Sequence, residues 1–381
     1  MQPVAPTANH LPDLRLAAGA RVAVAMSGGV DSSVVAGLLH EAGYVVVGLT
    51  ARLYDVDPAL TPRSGTCCAP EDARDARQVA WTLGIRHYVL DERDSFRREV
   101  IDRFIREYDQ GDTPNPCVAC NRSLKFGALV AMARALGCAA LATGHYARLE
   151  LDGDGDPHLR RAVDPGKDQA YFLHPLQPEG ARFLRFPLGG MTKTEVRAHA
   201  ERLGLPVAHK AESMDVCFVG AQSAQAFVER QAGARPGPMV DLAGTTLAQH
   251  AGVAGYAVGQ RHGLGLGGGE PRYVVDKRSD GTVVVGSRAD LQVRTLRLDG
   301  CTWVGGRAPS VGTALLVQVR HRGHAVPARV EHASGDQLEL TVDGLLLGAG
   351  RGQSGVLLAG DEVLGGGRIV AVTSGASREA A

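Results

Sequence analysis

The 381-residue sequence has no surplus of charge: 41 Lys+Arg stand against 41 Asp+Glu, a formal net charge of zero. That excludes a polybasic coat holding nucleic acid by a global field, and an acidic tail, but leaves room for local basic patches. No apolar run approaches the ~18–20 residues of a membrane span. The first twenty residues, MQPVAPTANHLPDLRLAAGA, lack a long apolar segment behind a basic start, so residues 1–20 are expected to be a flexible extension, not a secretory signal. Nor is there a disulfide scaffold, because the seven cysteines are odd in number and widely scattered. A reducing, cytoplasmic location is the expectation. What is present is 44% hydrophobic and 22% charged, a globular composition long enough for two or three domains.

Arg21–Met26 (RVAVAM) and Tyr44–Thr50 (YVVVGLT) are short β-branched runs that predict buried strands. Helices are expected over Ser32–Ala42, stopping at Gly43, and over Pro70–Leu83, with proline at its start and Gly84 past its end. A strand over Arg86–Leu90, helices over Ser95–Tyr108 and Ser123–Leu136, and a strand over Cys138–Ala142 follow. This alternation predicts an α/β fold, a Rossmann-like doubly wound parallel sheet whose ligands sit beyond the carboxyl ends of its strands. After about Gly220 the texture changes. A short helix (Ala224–Gln231) and a hairpin pair (Tyr273–Asp276, Thr282–Val285) lead to alternating segments at Leu315–Val319, Val326–Val330 and Gln337–Val342 between Gly-rich turns. That rhythm belongs to a sandwich or barrel. The expected domains are an ATP-binding catalytic domain over 21–223, a small central domain over 224–293 and a C-terminal β-barrel over 294–381.

The sharpest motif is Ser27-Gly28-Gly29-Val30-Asp31-Ser32-Ser33, between a strand and a helix. Paired glycines let backbone N–H groups approach an anion without a Cβ in the way, and the helix N-terminus adds partial positive charge. Ser27, Ser32 and Ser33 can add hydroxyl donors. No G-x-x-x-x-G-K-[ST] occurs, so this is not a Walker A loop. The heptapeptide resembles the pyrophosphate (PP) loop of ATP pyrophosphatases, which cleave ATP between its α and β phosphates and adenylate a substrate. The resemblance implies ATP, with Asp31 helping to hold Mg²⁺. The plain alternative is a Gly-Gly turn before a Ser-capped helix. A second pattern, Gly263–Gly268, fits G-x-G-x-x-G but precedes Glu270-Pro271 and a strand, so it is expected to be a loop and not a dinucleotide site.

Of the seven thiols, Cys138 and Cys301 have the setting of small core residues, and the adjacent Cys67-Cys68 a structural or incidental one. Thr113-Pro114-Asn115-Pro116-Cys117-Val118-Ala119-Cys120-Asn121 places a C-x-x-C just ahead of a helix, where the helix dipole favours thiolate. Cys217 follows 97 residues after Cys120, in Ser213-Met214-Asp215-Val216-Cys217-Phe218. No second C-x-x-C completes a four-thiolate zinc site. Two readings stay open: two thiols for sulfur transfer, or Cys117, Cys120 and Cys217 as three ligands of a [4Fe–4S] cluster.

A series of motifs then falls in order: SGGVDSS, T-P-N-P-x-x-x-C-N, A-T-G-H-Y (Ala142–Tyr146), K-D-Q-x-Y-F-L (Lys167–Leu173), V-C-F-V-G (Val216–Gly220) and G-Q-R-x-G-L-G (Gly259–Gly265). Val319–Pro327 (VRHRGHAVP), Gly352-Gln353-Ser354 and Leu364–Gly367 continue it. From about Arg21 to Ile369 the chain resembles the tRNA-specific 2-thiouridylase family, within the PP-loop superfamily. The resemblance implies ATP-dependent replacement of the C2 oxygen of the wobble uridine by sulfur, in tRNAs for Lys, Glu and Gln. It implies that Ala25, Met26, Ser27, Gly28, Gly29, Val30, Asp31 and Ser32 cradle ATP, with Ala51 and Gly144 in the nucleotide pocket. Cys217 would receive a persulfide from a carrier protein, and Cys120 would release its sulfur, leaving a Cys120–Cys217 disulfide. Asn115, Pro116, Cys117, His145, Lys167, Asp168, Gln169, Arg320, His321 and Gln353 fall at positions that touch tRNA in the family. Taken singly, each also has an ordinary structural reading, such as a solvated turn pair or a strand-end histidine.

Two departures qualify that series. Many relatives carry Asp where Cys117 stands, so a general base is not supplied there. Ala51 replaces a Met common against the adenine. Alternatives of other classes are a PP-loop amidotransferase or ligase using ammonia, which has no use for paired thiols, and a non-catalytic ATP-binding module.

Overall fold

In strand β1 (Arg21–Ala25), Val22, Ala23 and Val24 are fully buried, the pattern of a central strand covered on both faces. Helix α1 (Val30–Glu41) follows a short loop, then β2 (Val45–Arg52), α2 (Pro70–Thr82) and β3 (Arg86–Asp91). The next helical run contains α3 (Arg93–Phe96), a π-helical turn over Arg97–Ile101 and α4 (Asp102–Asp109). α5 (Pro116–Cys120) passes through a second π-helical stretch, Asn121–Ala128, into α6 (Leu129–Ala135) and β4 (Ala140–Thr143). An antiparallel hairpin, β5 (Ala147–Leu151) with β6 (Pro157–Arg161), precedes α7 (Pro178–Phe183), β7 (Leu184–Arg185) and α8 (Lys193–Arg202). These bounds come from a computed structural model that describes residues 11–55, 70–211, 216–220, 222–267 and 270–374.

The sheet order is β3-β2-β1-β4-β7, with every pair parallel. The chain steps outward from β1 to β3, then returns to the other side of β1 at β4. Such a reversal opens a crevice past the carboxyl ends of β1 and β4, where doubly wound sheets bind ligands. One core joins Met26 and α1 (Val34, Val35, Leu38, Leu39) to Val79 of α2 and to Val196 and Ala200 of α8. The start of α8 is fixed by a capping box between Thr192 and Glu195. Part of the N-terminal stretch is docked, contrary to the expected loose extension. Leu14 is buried in this core, and its carbonyl accepts from Arg185 Nε at 2.7 Å.

The chain divides into two units, residues 1–100 with 117–221 and residues 101–116 with 222–381. The second unit contains α4, α9 (Ala224–Ala232) and a four-stranded sheet. That sheet has β8 (Gly237–Val240), β9 (Thr246–His250), β10 (Tyr273–Lys277) and β11 (Val283–Gly286) in the order β10-β11-β8-β9. Leu264, inside the second glycine pattern, is buried in the core of this sheet, and a strand follows it, as expected of a loop.

The barrel strands are β12 (Val293–Trp303), β13 (Ala314–Gln318), β14 (Val326–Ser334), β15 (Gln337–Val342), β16 (Ser354–Ala359) and β17 (Glu362–Ser374). They run β12-β15-β14-β13-β16-β17 and close through β12–β17 around Leu296, Leu298, Val317, Val330, Leu340 and Ile369. The α/β sheet, smaller central part and closing barrel agree with the expected fold class. Among the described residues no helix is long and apolar enough to cross a membrane.

Candidate active site

The loop leaving β1 turns at Gly28, whose φ of +72° is a left-handed conformation suited to glycine. A Cβ there would lie 2.7 Å from the carbonyl carbon and Cα of Asp72, so the first turn of α2 rests directly on the loop. Ser33 is fully buried, and its hydroxyl donates to the Gly29 carbonyl at 2.8 Å, so it serves the loop and is not the phosphate donor the motif suggested. The Ser32 hydroxyl is also engaged within the loop, accepting from Ser27 N at 3.1 Å and donating to the Gly29 carbonyl at 3.2 Å.

The end of β4 meets this loop. A Cβ on Gly144 would stand 2.8 Å from Ser32 N and 3.0 Å from Asp31 Cβ, so glycine is needed for that approach. Ala25 pairs with Leu49 of β2 and Thr143 of β4, and Ala51 is half-buried one residue past Thr50. The elements expected to hold ATP are thus gathered at the topological switch.

Asp31 Oδ1 accepts from Tyr146 Oη at 2.9 Å and from Lys193 Nζ at 2.6 Å. Lys210 Nζ donates to the Gly28 carbonyl at 3.2 Å and pairs with Asp72 at 2.6 Å and Asp75 at 2.5 Å. Burial works to lower the Lys210 pKa, but the two carboxylates outweigh it and hold it raised, so the cation is firmly charged. Neither lysine was singled out from the sequence, because each is far along the chain from the loop and stands in no glycine-rich or cysteine motif. His145 is buried, and burial, aided by the Lys125 cation, pushes its pKa well below the usual histidine range. The neutral ring fits its contacts, Lys125 Nζ at 3.5 Å on Nε2 and Thr143 Oγ1 at 2.7 Å on Nδ1.

Pro116 opens α5, where its fixed φ favours helix, so Cys117 and Cys120 lie inside a helix and not ahead of one. This corrects the expected placement. The helix-dipole benefit falls off within the first turn, so it favours Cys117 over Cys120. Cys117 is exposed, Cys120 buried and Cys217 half-buried, and all three stand as thiols. The Cys217 carbonyl accepts from Tyr54 Oη at 2.9 Å. The Tyr54 ring stacks on Phe96 at 6.0 Å, and Phe96 meets Phe218 edge-on at 5.7 Å. An aromatic cluster thereby fixes the backbone of Cys217. Burial raises the Cys138 thiol, and burial with Asp336 and Asp299 pushes Cys301 up to about 12, which makes both inert. Cys67 and Cys68 lie outside the described residues.

Among the described residues no three His, Cys, Asp or Glu side chains are grouped as a metal would need. Cys117, Cys120 and Cys217 therefore do not fit a three-thiolate cluster in this arrangement. Mg²⁺ that arrives on ATP phosphates asks for only one or two carboxylates, and Asp31 suits that smaller demand.

Comparison with known proteins bears on this geometry. Residues 20–221 match the family described as tRNA methyl transferase HUP domain, 225–287 the tRNA methyl transferase PRC-barrel domain, and 293–369 the aminomethyltransferase beta-barrel domain. The chain is 50% identical over 377 residues to the tRNA-specific 2-thiouridylase MnmA of Methylorubrum populi, covering 94% of this chain and 97% of that protein. The chain belongs to the tRNA-specific 2-thiouridylase family. Similar relatives are the tRNA-specific 2-thiouridylase MnmA of Paramagnetospirillum magneticum, 49% identical over 92% of this chain and 95% of that protein, and that of Geobacter metallireducens, 46% identical over 93% and 98%.

The positions expected to touch tRNA are placed as follows. In the first unit Cys117 is exposed and His145 buried, while Lys167, Asp168 and Gln169 are half-buried. Asp168 Oδ1 accepts from the Ala162 and Ala170 amides at 3.0 and 3.2 Å, and Gln169 Oε1 accepts from Tyr146 N at 2.9 Å. Gln169 thereby braces the A-T-G-H-Y segment at Tyr146. In the second unit Asn115 is half-buried and Pro116 buried, and Gln353 Nε2 donates to the Thr113 carbonyl at 2.9 Å. Arg320 is exposed and holds the Leu347 and Gly348 carbonyls at 2.7 and 2.8 Å, with the half-buried His321 beside it in sequence.

Proposed function

We propose that the protein is an ATP-dependent tRNA 2-thiouridylase, a sulfurtransferase acting on the wobble uridine of tRNAs for Lys, Glu and Gln in the cytoplasm. One observation carries the reading: Gly144 is seated on Asp31 and Ser32 at the sheet's switch point, in the same unit that fixes Cys217 through Tyr54. The loop amides and the start of α1 bind the ATP phosphates, and Asp31 would hold Mg²⁺, which would neutralise their charge. The uridine C2 oxygen is a poor leaving group, and adenylation lets it depart as AMP with pyrophosphate already released.

Cys217 receives a persulfide from a sulfur carrier protein. Its terminal sulfur attacks C2 and displaces AMP. Cys120 thiolate then attacks the Cys217 sulfur, so the uridine keeps the terminal sulfur and a Cys120–Cys217 disulfide forms. An external thiol reductant restores both cysteines. The target base must be splayed from its loop to be reached, and the Asn115–Cys117, His145, Lys167–Gln169, Arg320–His321 and Gln353 positions are assigned to tRNA.

Purified protein with ATP, Mg²⁺, a persulfide donor and unmodified tRNA is expected to yield 2-thiouridine at the wobble position together with AMP. No thiolation, or turnover in Cys217→Ser equal to wild type, overturns the proposal. Ammonia-dependent product formation would point to the amidotransferase alternative.

A further inference from the structure

The phosphate loop is held from behind at one carbonyl after another. The Met26 carbonyl accepts from Thr50 Oγ1 at 2.7 Å, and Thr50 in turn pairs with His87 Nε2 at 2.8 Å. Burial and the neighbouring Arg77 lower the His87 pKa, which suits a neutral ring donating to the hydroxyl. The Gly29 carbonyl takes the hydroxyls of Ser33 and Ser32. Between them the Gly28 carbonyl takes Lys210 Nζ, 182 residues away along the chain.

An anion-binding loop works by aiming N–H groups to one side, which sends the intervening carbonyls to the other. In a planar trans peptide the C=O of one residue and the N–H of the next point in opposite directions. Holding the Gly28 carbonyl therefore fixes the direction of the Gly29 N–H. The need is greatest at this peptide, because it joins two glycines and rotates more freely than any other in the loop. Lys210 is itself held still: Asp72 and Asp75, one turn apart on α2, take its other donors, and the Asp72 backbone rests against Gly28.

We propose that Lys210 is a positioning residue for ATP, aiming the Gly29 N–H at the phosphates through the Gly28 carbonyl, with Asp72 and Asp75 as its mount. The inference rests on the ATP-dependent reading above and adds a residue to it. A lysine that only neutralised two carboxylates would become dispensable once they were removed, whereas a lysine that orients a peptide would not.

Equilibrium dialysis with ATP and Mg²⁺, in the absence of tRNA, separates these cases. Lys210→Met is expected to weaken ATP binding about tenfold, the loss of one hydrogen bond from a charged donor. In the thiolation assay KM for ATP should rise by a similar factor while KM for tRNA stays put, a split that general destabilisation would not produce. The triple variant Lys210→Met/Asp72→Asn/Asp75→Asn, which leaves no buried carboxylate unpaired, should stay weakened. Wild-type affinity in either variant overturns the inference, and if the single variant does not fold, the triple variant alone decides it. Wild-type protein that fails to bind ATP overturns the functional reading itself, a different failure.

Discussion

Replacing Gly28 by alanine adds two costs that the structure allows to be separated. The left-handed backbone, φ +72°, charges an alanine about 1 kcal/mol. The second cost is contact. Real Cβ atoms essentially never approach a neighbour within 3.0 Å, yet this one would stand 2.7 Å from two backbone atoms of Asp72. Asp72 cannot yield readily, because Lys210 and the α2 hydrogen bonds hold it. The closest overlap is with the Asp72 carbonyl oxygen, and the forced shift, approaching an ångström, adds at least about 1–2 kcal/mol. Gly19, at φ +71° with nothing within 4 Å of its Cβ position, isolates the first cost. At ~2–4 °C per kcal/mol for a unit of this size, Gly19→Ala should lower the first unit's melting temperature by about 3 °C and Gly28→Ala by roughly 6–9 °C. Gly19→Ala should bind ATP as wild type does. Gly28→Ala should bind at least about tenfold more weakly, since a displaced amide loses a hydrogen bond to a charged phosphate. Equal melting shifts in the two variants, or unaltered ATP binding by Gly28→Ala, would refute the packing argument.

Three further outcomes are expected. Cys120→Ser and Cys217→Ser should each lower thiolation by about three orders of magnitude while ATP binding is kept, and the buried Cys138→Ser should retain turnover; activity in Cys217→Ser would contradict the thiol roles. Protein purified anaerobically should hold less than stoichiometric iron, with Cys117→Ser unchanged in iron content; stoichiometric iron lost in that variant would establish a cluster that this arrangement does not fit. Burial, only partly offset by Asp112, pushes Lys277 down from 10.5 to about 8, so between those pH values the unfolded chain holds the proton and the native state does not. The stability difference between wild type and Lys277→Met, followed by urea unfolding of the second unit, should therefore grow in favour of wild type from pH 8 to 10.5, on the order of 3 kcal/mol. A flat difference across that window would contradict the buried-lysine reading.

β1 and β2 are readable because they are largely buried and written as short runs rich in valine. Arg21–Met26 against the observed Arg21–Ala25, and Gln337–Val342 in the barrel, differ by a residue or not at all. In the β5–β6 hairpin, Ala147–Leu151 (ARLEL) alternates as a strand should, but Pro157–Arg161 (PHLRR) carries charge without alternation and hides its partner. The two prolines preceding Cys117 give the start of α5 the look of a loop, although Pro116 is a helix starter. At the site, backbone-driven features were legible: Gly28 and Gly144 announce close approach by their lack of a side chain. Lys193, Lys210, Asp72 and Asp75 were not, because a lone charge in a sequence is indistinguishable from a solvated one until the fold supplies its partner. Tyr146 was inside a recognised motif, but nothing local showed that its hydroxyl would reach Asp31.

The assignment of residues 101–116 to the second unit has a consequence for how the chain is made. During synthesis this segment leaves the ribosome long before the sequence it packs against. Phe104 must wait for Phe227, its edge-on ring partner at 6.3 Å, which emerges 123 residues later. At ~5–20 residues per second that is roughly 6–25 s. Asp112 waits through 256 residues for Arg368, about twice as long. For that interval an aromatic helix and an acidic turn are exposed on the nascent chain, between the two stretches that make up the first unit. The apolar face of α4 is where a chaperone would bind a newborn chain, and premature termination before α9 would leave it permanently uncovered.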